Sequence, residues 1–165
     1  MTEHVILVDE DDVAVGRAEK MEAHRRGLLH RAFSVILLHD GKILLQRRAL
    51  GKYHSGGLWA NAACGHPRPG EAVEVAARRR LREEMGIDCA LQWRGTTHYA
   101  CDLDQGMSEN EIVHLFFGDH EGPVDPDPQE VMDWKWRDID ALRAEAAASP
   151  DYTYWLKAYV ARGLV

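Results

Sequence analysis

No apolar run in this chain approaches the roughly 18 residues that a membrane-spanning helix needs. The opening Met1-Thr2-Glu3-His4 also lacks a basic stretch followed by a long apolar one. Both absences point to a cytoplasmic protein that does not insert into a membrane. Cysteine is scarce. Cys64, Cys89 and Cys101 form an odd set without paired metal-finger spacing, which argues against a disulfide framework and for reduced thiols. Positive charge is short too: 20 Lys and Arg against 27 Asp and Glu give a formal net charge of −7. Wrapping nucleic acid needs a basic face for counterion release, so no nucleic-acid partner is expected, although a local basic cluster can hold a small phosphorylated ligand. No repeat, low-complexity tract or linker interrupts the 165 residues, and 45% hydrophobic content suffices for one domain over 1–165 with a cleft in its core. The scattered aromatics mark no dimer face, which is compatible with a monomer or a weak homodimer.

What is present is a mixture of short strands and short helices. His4 to Val8 and Val13 to Ala18 read as a hairpin around Asp9-Glu10-Asp11-Asp12, followed by a helix from Lys20 to Arg26 on which Lys20 and His24 face the same way. Ala32 to His39 and Lys42 to Arg47 are strands joined by Asp40-Gly41, a two-residue hairpin signal. A polar loop, Gly51 to Gly57, carries Lys52 and His54 and leads through Leu58 to Ala63 into Asn61-Ala62-Ala63-Cys64-Gly65-His66-Pro67. Glu71 to Met85 has helical spacing and stops at Gly86. Strands at about Leu91 to Cys101 and Ile112 to Gly118 flank a polar loop, Asp102 to Asn110. Trp134 to Arg137 is a last strand, Asp138 caps a helix that Pro150 ends, and Tyr152 to Val160 is a closing aromatic helix. Such a pattern predicts one α+β domain.

The helix after Cys64 carries chemistry. Val73, Ala77, Arg80, Leu81 and Glu84 share a stripe of about 100°, so Arg80 and Glu84 point inward. Burying two ions costs several kcal/mol each unless they pair or hold a ligand. One reading is an internal ion pair. The other is a carboxylate at Glu84 that holds Mg²⁺ beside a guanidinium that grips a diphosphate. From Gly65 the chain fits G-x5-E-x7-R-E-U-x-E-E-x-G-U through Glu71, Arg79, Leu81, Glu83, Glu84, Gly86 and Ile87, and so resembles the Nudix box over about 65–87. Nudix hydrolases use carboxylates of this helix to hold Mg²⁺ and activate water. Here Arg80 stands where a glutamate is expected, which suits binding a phosphate rather than hydrolysing it.

Histidines supply a second constellation. His24, His30 and His66 sit beside other polar landmarks, and Glu109 and Glu111, two apart, face one point in an extended segment. Three imidazoles and two carboxylates suit an octahedral site for Mn²⁺, Fe²⁺ or Zn²⁺, whereas any one histidine taken singly reads as a surface or hydrogen-bonded core residue. Taken in order, E-K-M-E-A-H, L-H-R-A-F-S, Arg47-Arg48, N-A-A-C-G-H-P, the altered box and Glu109-Asn110-Glu111 resemble type 1 isopentenyl diphosphate isomerases, from about His4 to Trp155. The resemblance implies a single Nudix-type domain of mixed β-sheet packed with the Nudix helix and additional short helices. It also implies interconversion of isopentenyl and dimethylallyl diphosphates. It makes His24, His30, His66, Glu109 and Glu111 the ligands of a second divalent metal, Mn²⁺ or Zn²⁺, and Glu84 the partner of an Mg²⁺ on the substrate diphosphate. Lys20, Arg48, Lys52 and Arg80 become the diphosphate-binding cations. Cys64 and Glu111 become the proton carriers, Tyr99 the tyrosine bonded to the catalytic glutamate, and Trp155 the aromatic facing the reacting carbons.

Shifting the double bond requires adding one proton and removing another through a tertiary carbocation, which a ring face can stabilise by about 2 kcal/mol in a dry pocket. Reference values of about 8.5 for a thiol and about 4.3 for a glutamate predict only modest shifts for Cys64 and Glu111. Cys89 and Cys101 are expected to be buried structural thiols, and simple packing is the competing role for Trp155. The loop Lys52-Tyr53-His54-Ser55-Gly56-Gly57 departs from the aromatic and proline residues that many members of this family carry before the matching Trp59. A Nudix hydrolase of nucleoside diphosphate derivatives and a non-catalytic phospholigand-binding module are the alternative readings. The first leaves Cys64 and the Glu109/Glu111 pair unexplained.

Overall fold

In the computed structural model, which describes residues 2–165, the acidic run Asp9–Asp12 turns β1 (His4–Val8) back onto β2 (Ala14–Glu19). The Asp9 carboxylate accepts from the amides of Asp11 and Val13 and fixes that turn. A short helix, α1 (Lys20–Arg26), follows, and then β3 (His30–His39) and β4 (Lys42–Arg48). Asp40 and Gly41 between them both have positive φ, 49° and 74°, the conformation a tight two-residue hairpin demands. Two short strands, β5 (Trp59–Ala60) and β6 (Ala63–Gly65), lead to the long helix α2 (Val73–Met85). Gly86 ends it at φ 65°, where a Cβ would sit 2.6 Å from the Asp125 carbonyl oxygen, so both space and conformation require glycine. The chain continues through β7 (Gln92–Asp102), β8 (Ser108–Gly118), β9 (Val131–Asp138), α3 (Ile139–Glu145) and α4 (Tyr154–Ala161). Asp138 caps α3 through the Ala141 amide, as its position suggested.

The strands join in one mixed sheet centred on β3. On one side β3 pairs in parallel with β8, from His30 opposite Glu111 to Leu37 opposite Gly118. Elsewhere it pairs antiparallel with β6, Ser34 lying opposite Cys64. Period two along β3 sorts its side chains between two cores. Phe33, Val35 and Leu37 pack with Ala77, Leu81 and Met85 of α2, whereas Ala32 and Ile36 pack with Trp155, Leu156 and Tyr159 of α4. Both helices are thus anchored to the strand that also carries the ends of the site.

Several boundaries differ from the sequence reading. β3 starts at His30 rather than Ala32, and β8 starts at Ser108 rather than Ile112, so both Glu109, expected in the preceding loop, and Glu111 lie in the strand. Their polarity hides the strand, because these side chains are buried, at 5% and 7% exposure, for reasons other than hydrophobicity. α2 starts at Val73, since Glu71 is engaged before the helix by the Arg68 amide and the Arg79 guanidinium. Cys89 and Cys101 are half-buried rather than enclosed in the core.

Candidate active site

A cavity of about 320 Å³ opens where β6, β8, α2, α4 and the loop after β4 meet. Cys64 and Glu111 both line it, delivered by the two strands that flank β3. Lys20, Arg48, Lys52 and Arg80 line it as well, with Glu84, Glu109, His66 and Trp155. His24 and His30 lie beneath that lining at 0% exposure. Among the residues singled out from the sequence, only Tyr99 stands apart from this assembly. It is cross-strand from Glu111, but its buried hydroxyl has no hydrogen-bond partner among the described residues. The implied bond from Tyr99 to Glu111 is therefore not made; Glu111 is engaged instead by His30 and His66.

The imidazoles are oriented by their backbone contacts. Nδ1 of His24 donates to the Lys20 carbonyl at 2.7 Å, an i,i+4 contact within α1, and Nδ1 of His30 donates to the Leu28 carbonyl at 2.8 Å. Their Nε2 atoms therefore present lone pairs inward, the arrangement that a hydrogen bond on the other ring nitrogen imposes on metal-binding histidines. Nε2 of His30 and of His66 lie 3.1 and 2.8 Å from the same Glu111 oxygen, and Nε2 of His24 is buried without a hydrogen-bond partner among the described residues. Lone pairs crowded onto a carboxylate repel unless a proton or a cation stands between them. The four donors of His24, His30, His66 and Glu111 lie within 4.8 Å of one another, which fits a single divalent ion.

The same crowding sets the protonation states. Burial, reinforced by the charge of Glu111, pushes Glu109 up to about 7. Burial works against an ionised Glu111, yet its bonds with Glu109 and His30 hold it below the usual carboxylate range. Burial and the neighbouring His30 push His66 well below the ordinary imidazole value. Burial pushes the Cys64 thiol up to about 12 despite the nearby Arg48. That shift is far larger than the modest one expected from reference values, because the strand position that sets the half-buried Cys64 in the cavity wall also packs protein around its thiol.

On the α2 side of the cavity Arg80 bonds Glu83 and Glu84, each at 2.6 Å, while Gln46 donates to the second oxygen of Glu84 at 2.9 Å. The internal ion pair is therefore real, and Arg80 still faces the cavity. Lys52 is paired with Glu130, and Lys20 reaches Glu3 at 3.4 Å. Arg48 differs: it is 5% exposed, has no carboxylate within ion-pair distance among the described residues, and its Nε is unbonded. A buried guanidinium with unused donors fits an anionic ligand.

The sequence reading also missed residues that shape the site. Asn61 donates to the carbonyls of Val35 and Ala63 and accepts from the Trp155 indole at 3.1 Å, tying β6 to α4. Trp155 is at once core and cavity wall, with the Arg48 guanidinium 5.1 Å from its ring. Tyr53 and Tyr159 add further aromatic wall, and Tyr159 is bonded to Ser34. The conspicuous N-A-A-C-G-H-P run was the available signal for Asn61; nothing local marks the two tyrosines.

The NUDIX domain model matches residues 28–159. By fold the chain is similar to a crystal structure from Deinococcus radiodurans, with a TM-score of 0.73 at 23% identity over 97% of this chain and 98% of that one. It is also similar to a MutT NUDIX hydrolase from Burkholderia pseudomallei, with a TM-score of 0.65 at 20% identity over 81% and 96%. These likenesses establish the fold. By sequence it is 49% identical to isopentenyl-diphosphate Delta-isomerase 2 of Aromatoleum aromaticum, over 98% of this chain and 87% of that protein. It is 48% identical to the isopentenyl-diphosphate Delta-isomerase of Burkholderia multivorans, over 98% and 93%. With the NUDIX domain matched over most of its length and relatives of this identity along nearly all of it, the chain belongs to the isopentenyl-diphosphate Delta-isomerase family.

Proposed function

We propose that this cavity interconverts isopentenyl and dimethylallyl diphosphates, with Cys64 and Glu111 as the two proton carriers. One observation carries the reading: a thiol and a carboxylate, from strands on either side of β3, line one cavity with opposite protonation preferences. Cys64 holds its proton and Glu111 releases it, so the pair at rest is one acid and one base. An allylic shift needs one proton given and one taken. Reversibility makes the two groups exchange these roles with direction.

Arg48, with Lys20, Lys52 and Arg80, grips the diphosphate at the cationic wall and so fixes the alkene against the reacting groups. Trp155 faces the tertiary cation with an electron-rich ring that cannot trap it, and Asn61 holds the indole in place. Tyr99 lies cross-strand from Glu111, the position from which it would steady that carboxylate during turnover. His24, His30, His66, Glu109 and Glu111 would hold a divalent ion, Mn²⁺ or Zn²⁺, and Glu84, which keeps unused lone pairs beside Arg80 and Gln46, would share an Mg²⁺ with the diphosphate. When bound, such ions supply positive charge that keeps Glu111 ionised and offsets the diphosphate.

The domain is proposed to work over 1–165 in the cytoplasm, where a reduced Cys64 is maintained, as a monomer or weak homodimer. Among the described residues no helix is long and apolar enough to cross a membrane. The test is incubation with isopentenyl diphosphate and Mg²⁺, followed by proton and phosphorus NMR. Dimethylallyl signals with intact diphosphate are expected. Cleavage of a nucleoside diphosphate derivative into a nucleoside monophosphate and a second phosphomonoester instead would assign a hydrolase, and no change with either would leave a binding module.

A further inference from the structure

One buried histidine of this cavity lies outside the five-donor set. His54 sits in the loop between β4 and β5, the segment that departs from the family pattern, and is 1% exposed. Its Nε2 is 2.9 Å from Glu109 Oε1. That contact lacks hydrogen-bond alignment, so Nε2 of His54, like Nε2 of His24, is buried without a hydrogen-bond partner among the described residues. These two nitrogens and the Glu109 oxygen lie within 4.8 Å of one another. His24 belongs to this group and equally to the group formed with His30, His66 and Glu111. Two clusters that share an imidazole converge on one place.

We propose that His54 is a sixth protein donor to the divalent ion of this site, bonding through Nε2 beside His24, His30, His66, Glu109 and Glu111. The inference rests on the five-donor reading of the site. Metal–donor bonds of about 2.1 Å put neighbouring donors of an octahedron roughly 3 Å apart. The distances from His30 and His66 to Glu111, 3.1 and 2.8 Å, match that edge, and the 2.9 Å from His54 to Glu109 matches it equally. His54 is also held for the task. Its Nδ1 contacts the Ser55 hydroxyl at 3.0 Å, which can accept the ring proton and leave the Nε2 lone pair free. Its carbonyl accepts from Arg48 at 3.1 Å, and the Ser55 amide donates to Asp104 at 3.2 Å. The surrounding loop is pinned at backbone and side chain alike.

Four imidazoles and two carboxylates fill an octahedron and leave no position for solvent. That suits a pocket in which water would capture a carbocation, and it distinguishes this ion from those that activate water through an open position. An extra nitrogen donor also shifts preference toward Zn²⁺ or Fe²⁺ and away from the harder Mg²⁺.

The test uses the full chain stripped by a chelator and reloaded with Zn²⁺. X-ray absorption counts imidazoles on the unmodified protein, and competition with a chromophoric chelator gives Zn²⁺ affinity for it and for His54→Ala, His54→Gln and His30→Ala. Four imidazoles are expected, falling to three in either His54 variant, with affinity weakened roughly 10- to 100-fold. Circular dichroism verifies that each variant is folded, and the count on the unmodified protein needs no variant. Three imidazoles in the unmodified protein, with unchanged affinity in the His54 variants but weakened affinity in His30→Ala, would overturn the role of His54 and leave the five-donor site standing. An affinity unmoved by His30→Ala as well would overturn both.

Discussion

Replacing Asn61 by alanine tests how the site is held together. The side chain is fully buried and makes three hydrogen bonds: Nδ2 to the carbonyls of Val35 and Ala63, at 3.0 and 2.9 Å, and Oδ1 from the Trp155 indole at 3.1 Å. Two carbonyl acceptors and one N–H donor permit only one orientation of the amide, so its pattern of donors and acceptor is fixed by its neighbours. Each bond contributes about 1 kcal/mol net, and each partner left buried and unpaired costs about 1–3 kcal/mol, so Asn61→Ala should lose about 3 kcal/mol or more of stability. Asn61→Asp provides the sharper comparison. It keeps the acceptor for Trp155 but turns an oxygen toward two carbonyl oxygens, and in its ionised form it buries a charge. Despite its better fit in shape it should destabilise more than alanine. Urea denaturation followed by circular dichroism measures both, and turnover at a temperature where both variants are folded should fall because Trp155 loses its tether. A loss below about 1 kcal/mol for alanine, or an aspartate variant more stable than the alanine one, would refute the network.

Cys64→Ala should abolish isomerisation while leaving diphosphate-analogue affinity and the folded far-ultraviolet spectrum intact; retention of most of the turnover would remove Cys64 from the chemistry. Arg80→Glu adds a carboxylate to a wall that already holds Glu83, Glu84 and Glu130, and should weaken binding of a non-reacting diphosphate analogue by roughly 2–5 kcal/mol in calorimetry. Unchanged affinity would reduce Arg80 to a structural partner of Glu84. Two bonds from Arg79, at 2.8 and 2.9 Å, hold Glu71 below its ordinary value of 4.5. A depressed carboxylate pKa stabilises the fold above the unfolded value, and that contribution is lost as pH falls through the folded one. The urea midpoint should therefore drop below about pH 4.5 less steeply in Glu71→Gln than in the parent chain, and identical slopes would show that the pair carries no stability.

What the sequence disclosed, and what it did not, follows from the range of the interactions. The Asp40-Gly41 hairpin, the Asp138 cap, the Gly86 stop and the inward stripe of α2 are set by residues within a few positions of one another, and all four are found. The metal-type donors were legible because a shared chemistry groups them even where their elements could not be delimited. His54, Asn61 and Tyr159 were not so grouped. Their roles come from neighbours such as Glu109, Trp155 and Ser34, which lie between 55 and 125 residues away in the chain. Arg48 illustrates the same limit: four cations looked alike in sequence, and only folding shows that three are paired while the fourth is free of carboxylates among the described residues.

The altered box acquires its meaning from those pairings. In a hydrolase the helix carboxylates must remain available to hold cations near the scissile phosphate. Here Arg80 engages Glu83, Glu84 and Glu130 together, and Gln46 takes the other oxygen of Glu84, so much of that wall's negative charge is already balanced. The convergent donors are instead gathered from α1, β3, β8 and the segment after β6. One substitution in the helix motif and one histidine–glutamate cluster thereby suit the two tasks proposed for the cavity: cations that hold a diphosphate without cleaving it, and Cys64 and Glu111 acting on the carbon chain attached to it.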